Sequence, residues 1–131
     1  MPTRLASCSC GQLTARVAGA PLRVSICHCL ACQRRTGSPF AQQARFRRAD
    51  VTVSGSASVY TLAGDSGAQA RFHFCPRCGA TVYYEADAFP GLLSIPVGAF
   101  ADPGFPAPTV SVYEERMHGW VVPPAGAEHI P

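Results

Sequence analysis

Seven cysteines in three tight groups constrain this chain more than any other feature. They read Cys8-Ser-Cys10, Cys27-His-Cys29-Leu-Ala-Cys32 and Cys75-Pro-Arg-Cys78. Thiolates spaced so closely can point at a common centre, which suits a tetrahedral zinc ion bound through sulfur. Four thiolates fill one such site, and three of the seven are left over. Three protein ligands with a vacant fourth position is the form of a catalytic zinc. The count predicts one closed site and one open one.

Spacing bears on which cysteines share a metal. Cys75-x2-Cys78 with Gly79 behind it has the chemistry of a metal-binding turn, and its partner pair is Cys8/Cys10 or two of the middle three. A simple zinc ribbon would join Cys29/Cys32 to Cys75/Cys78, but 42 residues intervene, more than the usual gap of about 15–20. Pairing Cys8/Cys10 with Cys75/Cys78 keeps Cys27, Cys29 and Cys32 together as one contiguous motif, and the reading favours that partition. The three-thiolate site would carry a net negative charge and ionise water poorly, while matching a soft fourth ligand such as a substrate thiol. His28, set between two ligands, either supplies an eighth ligand and closes the second site, or points away to stand behind the metal or face substrate. A redox role for Cys29-x2-Cys32 is disfavoured, because no βαβ pattern surrounds it.

The 131 residues suit a single domain over 1–131. The 47% hydrophobic and 15% charged content is that of a globular chain. Twelve Gly and twelve Pro, spread along the sequence, fit many short strands better than long helices. Net charge is +3, which demands neither nucleic acid nor membrane, and no apolar run approaches the roughly 20 residues of a membrane span. Leu5-Ala6-Ser7-Cys8 imitates a lipoprotein cleavage box with no room for an apolar leader before it. Clustered thiols in odd number also argue against a secreted disulfide framework, so a cytoplasmic protein is expected. A homodimer is left open.

Alternation of apolar and polar residues predicts strands at Leu13–Val17, Leu22–Ile26, Phe40–Phe46, Val51–Val53 and Val59–Thr61, and Arg71–Phe74 and Thr81–Glu85 read as the two strands of a hairpin around the Cys75/Cys78 turn. Further strands are expected at Leu92–Ala99, with Pro96 at a sheet edge or bulge, and at Thr109–Glu114. Residues 30–36 read as a helical turn closed by Gly37, Pro103–Pro108 as a loop, and the tail from Pro123 as patternless. Gly64-Asp-Ser-Gly67 imitates a serine-protease nucleophile loop with His28 and Asp50 upstream, but the chain is too short for that fold and the segment reads as a hairpin turn. Arg45, Arg47 and Arg48 are expected on a charged edge strand. Phe72, Phe74, Tyr83, Tyr84 and Trp120 are expected in the core or as pocket walls.

Cys8-Ser-Cys10-Gly11, Cys27-His-Cys29-Leu-Ala-Cys32-Gln-Arg34-Arg-Thr36-Gly37 and Phe74-Cys75-Pro-Arg-Cys78-Gly79 together resemble the glutathione-dependent formaldehyde-activating enzyme (GFA) family, also called the centromere protein V-like domain. The resemblance spans about residues 5–122. It implies an all-β, Mss4-like fold stapled by two zinc ions, with Cys8, Cys10, Cys75 and Cys78 as structural ligands and Cys27, Cys29 and Cys32 as catalytic ones. It also implies a carbon–sulfur lyase that joins formaldehyde to glutathione as S-(hydroxymethyl)glutathione. His28, Thr36 or Ser38 could then pass a proton to the new alkoxide, and Arg34 and Arg35 could pair with the carboxylates of glutathione as co-substrate. The alternative is a non-catalytic, zinc-binding Mss4-like interaction module. Such a module needs only four ligands and leaves the middle cluster unexplained.

Overall fold

A computed structural model describes residues 2–64 and 66–131; Asp65, and with it the middle of the Gly64–Gly67 turn, lies outside the described residues. In chain order the strands are β1 (Thr3–Ser7), β2 (Thr14–Ala18), β3 (Arg23–Cys27), β4 (Ala41–Arg47), β5 (Val51–Ser54), β6 (Ser58–Ala63), β7 (Gln69–Phe74), β8 (Thr81–Ala86), β9 (Leu92–Pro96), β10 (Val110–Val112) and β11 (Glu128–Ile130). One helix, α1 (Leu30–Thr36), stands between β3 and β4. The protein is mainly β, as the sequence predicts, and no helix among the described residues is long and apolar enough to cross a membrane.

The strands form a small sheet in the order β1-β2-β5 and a large one in the order β11-β10-β3-β4-β9-β8-β7-β6. Alternation explains how the two meet. Leu13, just before β2, and Ala15 and Val17 within it send every second side chain inward, while Arg16 and Ala18 face solvent. Val24, Ala44, Phe46, Val82, Leu93 and Ile95 do the same from the large sheet and join that set in one core. Phe46, almost wholly buried, leans on Phe100, which stacks on Phe105 at 4.7 Å between centroids. Burying such a side chain contributes about 1.5–3 kcal/mol.

Several local expectations are corrected. β9 lies inside the large sheet between β4 and β8, and Pro96 ends it instead of marking an edge. The missing N–H of Pro96 costs little there, because residues 97–100 turn into a 3-10 helix. Arg45 and Arg47 belong to β4, a central strand and not an edge; Arg45 is accommodated half-buried with its guanidinium 3.9 Å from the Phe89 ring centroid. The tail, patternless in sequence, supplies β11, which pairs in parallel with β10, itself parallel to β3. β1 also goes unpredicted, although it pairs with β2 along its whole length. Trp120 is not in the core: it is 70% exposed and meets His118 edge-on.

Candidate metal and thiol sites

Cys8 and Cys10 sit in the loop from β1 to β2, and Cys75 and Cys78 in the loop from β7 to β8, so this group spans both sheets. All four sulfurs lie within 4.8 Å of one another. A tetrahedral ion with metal–sulfur bonds of about 2.3 Å would hold its sulfurs about 3.8 Å apart. The Cys8–Cys10 and Cys10–Cys75 sulfurs are 3.6 and 3.7 Å apart, close to that edge and far beyond a disulfide bond. Donors converge on the same sulfurs, with Leu13 N–H on Cys8 at 3.3 Å, Arg77 N–H on Cys75 at 3.4 Å and Gln12 Nε2 on Cys75 at 3.0 Å. Burial opposes ionisation of Cys75, but the hydrogen bonds from Gln12 and from the Cys78 and Arg77 amides overcome it and bring the thiol down to about 6. The turn closes through Gly79, whose φ of 81° is one that side chains rarely adopt and whose N–H donates to the Cys75 carbonyl at 2.8 Å.

The second group is local. Cys27 ends β3, Cys29 caps α1 and Cys32 lies in the first turn of that helix, their sulfurs again within 4.8 Å of one another. The ligand spacing itself starts the helix, since the Cys29 sulfur accepts the Cys32 N–H at 3.3 Å in the manner of an N-cap. α1 ends at Gly37, whose amide donates to the Gln33 carbonyl, as predicted. Protons distribute unequally over three thiols this close. Hydrogen bonds from Cys27 and Cys32 hold the Cys29 thiol far below its ordinary range, while contacts with Cys29 and Cys32, and burial, push Cys27 up. A bound cation would relieve that competition, so both groups of cysteines fit a metal ion.

His28 does not join either group among the described residues. It is fully buried, shares a 3.0 Å hydrogen bond from Nε2 with Ser111 Oγ, and burial lowers its pKa against the pull of Glu114. Glu114 in turn bonds to Ser111 and to His129 Nδ1 at 2.6 Å. The eighth-ligand reading of His28 therefore fails, since its ring is turned into the interior. The protease-like reading gains nothing either, because Ser66 lies in the exposed β6–β7 turn, remote in setting from that buried histidine. Gln33, which the sequence did not single out, ties the site together: its Nε2 donates to the His28 carbonyl at 2.9 Å and to the Arg116 carbonyl at 3.1 Å, and His118 meets its Oε1. A polar side chain four residues after a cysteine ligand was the one available hint.

Of the arginines, Arg34 is exposed, while Arg35 is half-buried with its guanidinium 4.9 Å from the Phe72 centroid and 5.3 Å from that of Tyr84. Thr36 donates its hydroxyl hydrogen to the Cys32 carbonyl at 2.8 Å, and Ser38 Oγ accepts the Phe40 N–H at 3.4 Å. Residues 3–116 match the family described as "Glutathione-dependent formaldehyde-activating enzyme". The chain belongs to that family. All three cysteine groups of this formaldehyde-activating family member fall within the matched stretch. The crystal structure of a Rhodobacter sphaeroides protein, a structural-genomics target, is similar to it with a TM-score of 0.59 and 23% identity, covering 76% of this chain and 88% of that one. Identity at that level speaks to a shared fold alone. No curated protein matches the family member in sequence.

Proposed function

We propose that this protein is a zinc-dependent carbon–sulfur lyase-type enzyme that adds a glutathione-like thiol to formaldehyde or another small aldehyde. The observation that carries the reading is the inequality of the two cysteine groups: four sulfurs complete a tetrahedron, whereas Cys27, Cys29 and Cys32 gather three, with His28 turned away. Thiolate-only donor sets favour zinc over harder divalent ions. The four-sulfur group is structural and the three-sulfur group catalytic. A zinc ion bound there would supply a fourth position at which a substrate thiol loses its proton near neutral pH.

In the reaction the thiol sulfur bonds to the carbonyl carbon, the C=O π pair moves to oxygen, and the proton lost by sulfur ends on that oxygen. No electrons are exchanged with a third party. Cys27, Cys29 and Cys32 gather the negative charge that holds the reacting centre. Arg34 on the exposed side of α1 and Arg35 in the half-buried position beside it attract substrate carboxylates. Ser38 donates its hydroxyl hydrogen to nothing among the described residues, whereas that of Thr36 is engaged by the Cys32 carbonyl. We assign His28, buried against Ser111, the positioning of the cysteines on either side of it. The family match and the open sulfur set support this reading over a non-catalytic interaction module.

The test mixes 13C-formaldehyde and glutathione with zinc-loaded protein and follows the hydroxymethyl thioether by NMR exchange. Exchange above the uncatalysed rate, lost in Cys32→Ser with the fold intact, is expected. Exchange no faster than in buffer, or unchanged in Cys32→Ser, would refute the assignment.

A further inference from the structure

The large sheet presents an aromatic face beside α1 that formaldehyde cannot use. Register puts Tyr60 opposite Phe72 and Phe72 opposite Tyr84, a row across β6, β7 and β8. Leu62 and Phe74, each two residues further along its strand, share that side. The ion pairs of these strands, Arg71 with Glu85 and Asp87 and His73 with Glu85, involve residues of the opposite alternation and of the hairpin end. Between this face and α1 runs a groove of about 530 Å³, bounded by Tyr60, Leu62, Phe72 and Phe74 on the sheet and by Arg34 and Arg35 on the helix.

The charge of this groove is one-sided. Among the described residues no acidic side chain lines it and neither arginine has an ion-pair partner. Arg35 Nε is covered by protein and donates to nothing among them, while its guanidinium carbon lies 4.9 and 5.3 Å from the centroids of Phe72 and Tyr84. A guanidinium held against two aromatic rings, its Nε already out of water, is prepared for a carboxylate. Arg35 also follows Cys32 by three residues, so both lie on one side of α1 and the groove opens from the helix that carries the thiol site.

We propose that this groove binds the body of an aldehyde substrate that is itself an aromatic carboxylate, its ring against Phe72, Phe74 and Tyr60 and its charge on Arg35. The proposal rests on the thiol–aldehyde reading for the step that follows binding. Glutathione suits these walls poorly. Its peptide groups and ammonium would face aromatic carbon, and a polar group desolvated without a partner weakens binding. A planar apolar anion leaves nothing unsatisfied.

The experiment titrates zinc-loaded protein with naphthalene-2-carboxylate, a non-reacting probe, by calorimetry, with 2-naphthylmethanol and glutathione as comparisons. We expect a Kd of about 1 mM or tighter for the carboxylate and about tenfold weaker binding of the alcohol. Arg35→Gln should weaken the carboxylate by about tenfold. Tyr60→Ala, at a side chain 60% exposed, should weaken both probes by about threefold. Equal affinity for carboxylate and alcohol, no binding of either, or affinities untouched by Tyr60→Ala would overturn the proposal. So would a dimer in sedimentation that Tyr60→Ala dissociates, since the face would then be covered by a second copy. A protein that binds the probe in this pattern yet joins no thiol to an aldehyde keeps the groove and loses the reaction. One that turns over glutathione and formaldehyde but ignores the probe does the reverse.

Discussion

Gln12 Nε2 reaches from the small sheet to the sulfur of Cys75 at 3.0 Å, and the same side-chain amide exchanges two hydrogen bonds with the backbone of Ser56, at 2.7 and 3.0 Å. One residue thus ties the Cys8/Cys10 loop, the end of β5 and the β7–β8 loop. Gln12→Met, which removes the amide but keeps much of the volume, should cost about 1–3 kcal/mol. It should also speed the release of metal to a chromogenic chelator, because the Cys75 thiolate loses a donor. Unchanged release kinetics would mean that the contact is incidental.

The two cysteine groups should fail differently. Cys78→Ser opens the set that spans both sheets, so it should lower Tm by more than about 10 °C and remove one equivalent of metal. Cys32→Ser disturbs only the end of β3 and the first turn of α1, and cooperative unfolding near the native Tm should survive. Metal content by mass spectrometry and calorimetric Tm read both, and equal thermal losses would contradict the division into a structural and an open site.

Gly55 stands where two backbones nearly touch. A Cβ built there lies 1.9 Å from the Gln12 carbonyl oxygen, and its φ of 100° suits no other residue. The obstacle is main chain and cannot swing aside. Gly55→Ala should therefore destabilise by about 2–4 kcal/mol, a Tm loss of about 10 °C, measured by thermal or urea denaturation. A loss under about 0.5 kcal/mol would show that the loop can move.

Asp87 closes the β7–β8 hairpin from outside. Its carboxylate accepts the Gln69 N–H at 2.9 Å and pairs with Arg71 at 3.0 Å, and these contacts, the Gln69 bond foremost, lower its pKa. A depressed folded-state pKa stabilises above the unfolded value of about 3.9, and that stabilisation is lost as pH falls through the folded value. The Tm gap between wild type and Asp87→Asn should be steady from neutral pH to about pH 5 and close below about pH 4. A gap independent of pH down to acid would show that the charge contributes nothing.

How far the sequence reads through depends on how local each feature is. Leu13, Ala15 and Val17 declare the buried side of β2 and its approach because the pleat has period two, and the same rule finds β4, whereas β7 and β8 are read from the metal-binding turn they flank. It misleads at β6. There Val59, the apolar member of the alternation, is 51% exposed, and Tyr60 and Leu62 face the groove instead. An edge strand at the end of an eight-strand sheet has no second layer to dictate which side is inward. β11 was invisible for a related reason: three residues carry no period, and their pairing with β10 is the whole of their structure.

The cysteine partition could be read from the chain itself, because the reach of a thiolate is a few ångströms and close spacing leaves few ways to share a metal. That Cys8 and Cys10 meet Cys75 and Cys78 is consistent with that reading, and the structure adds the two sheets they join. The burial of His28 against Ser111, the bridge made by Gln33, and the seat of Arg35 on Phe72 and Tyr84 depend on residues far apart in sequence. Contacts of that kind follow from how strands pair and pack, which no local pattern encodes. They are also the contacts that set His28, Gln33 and Arg35 around the three clustered thiols.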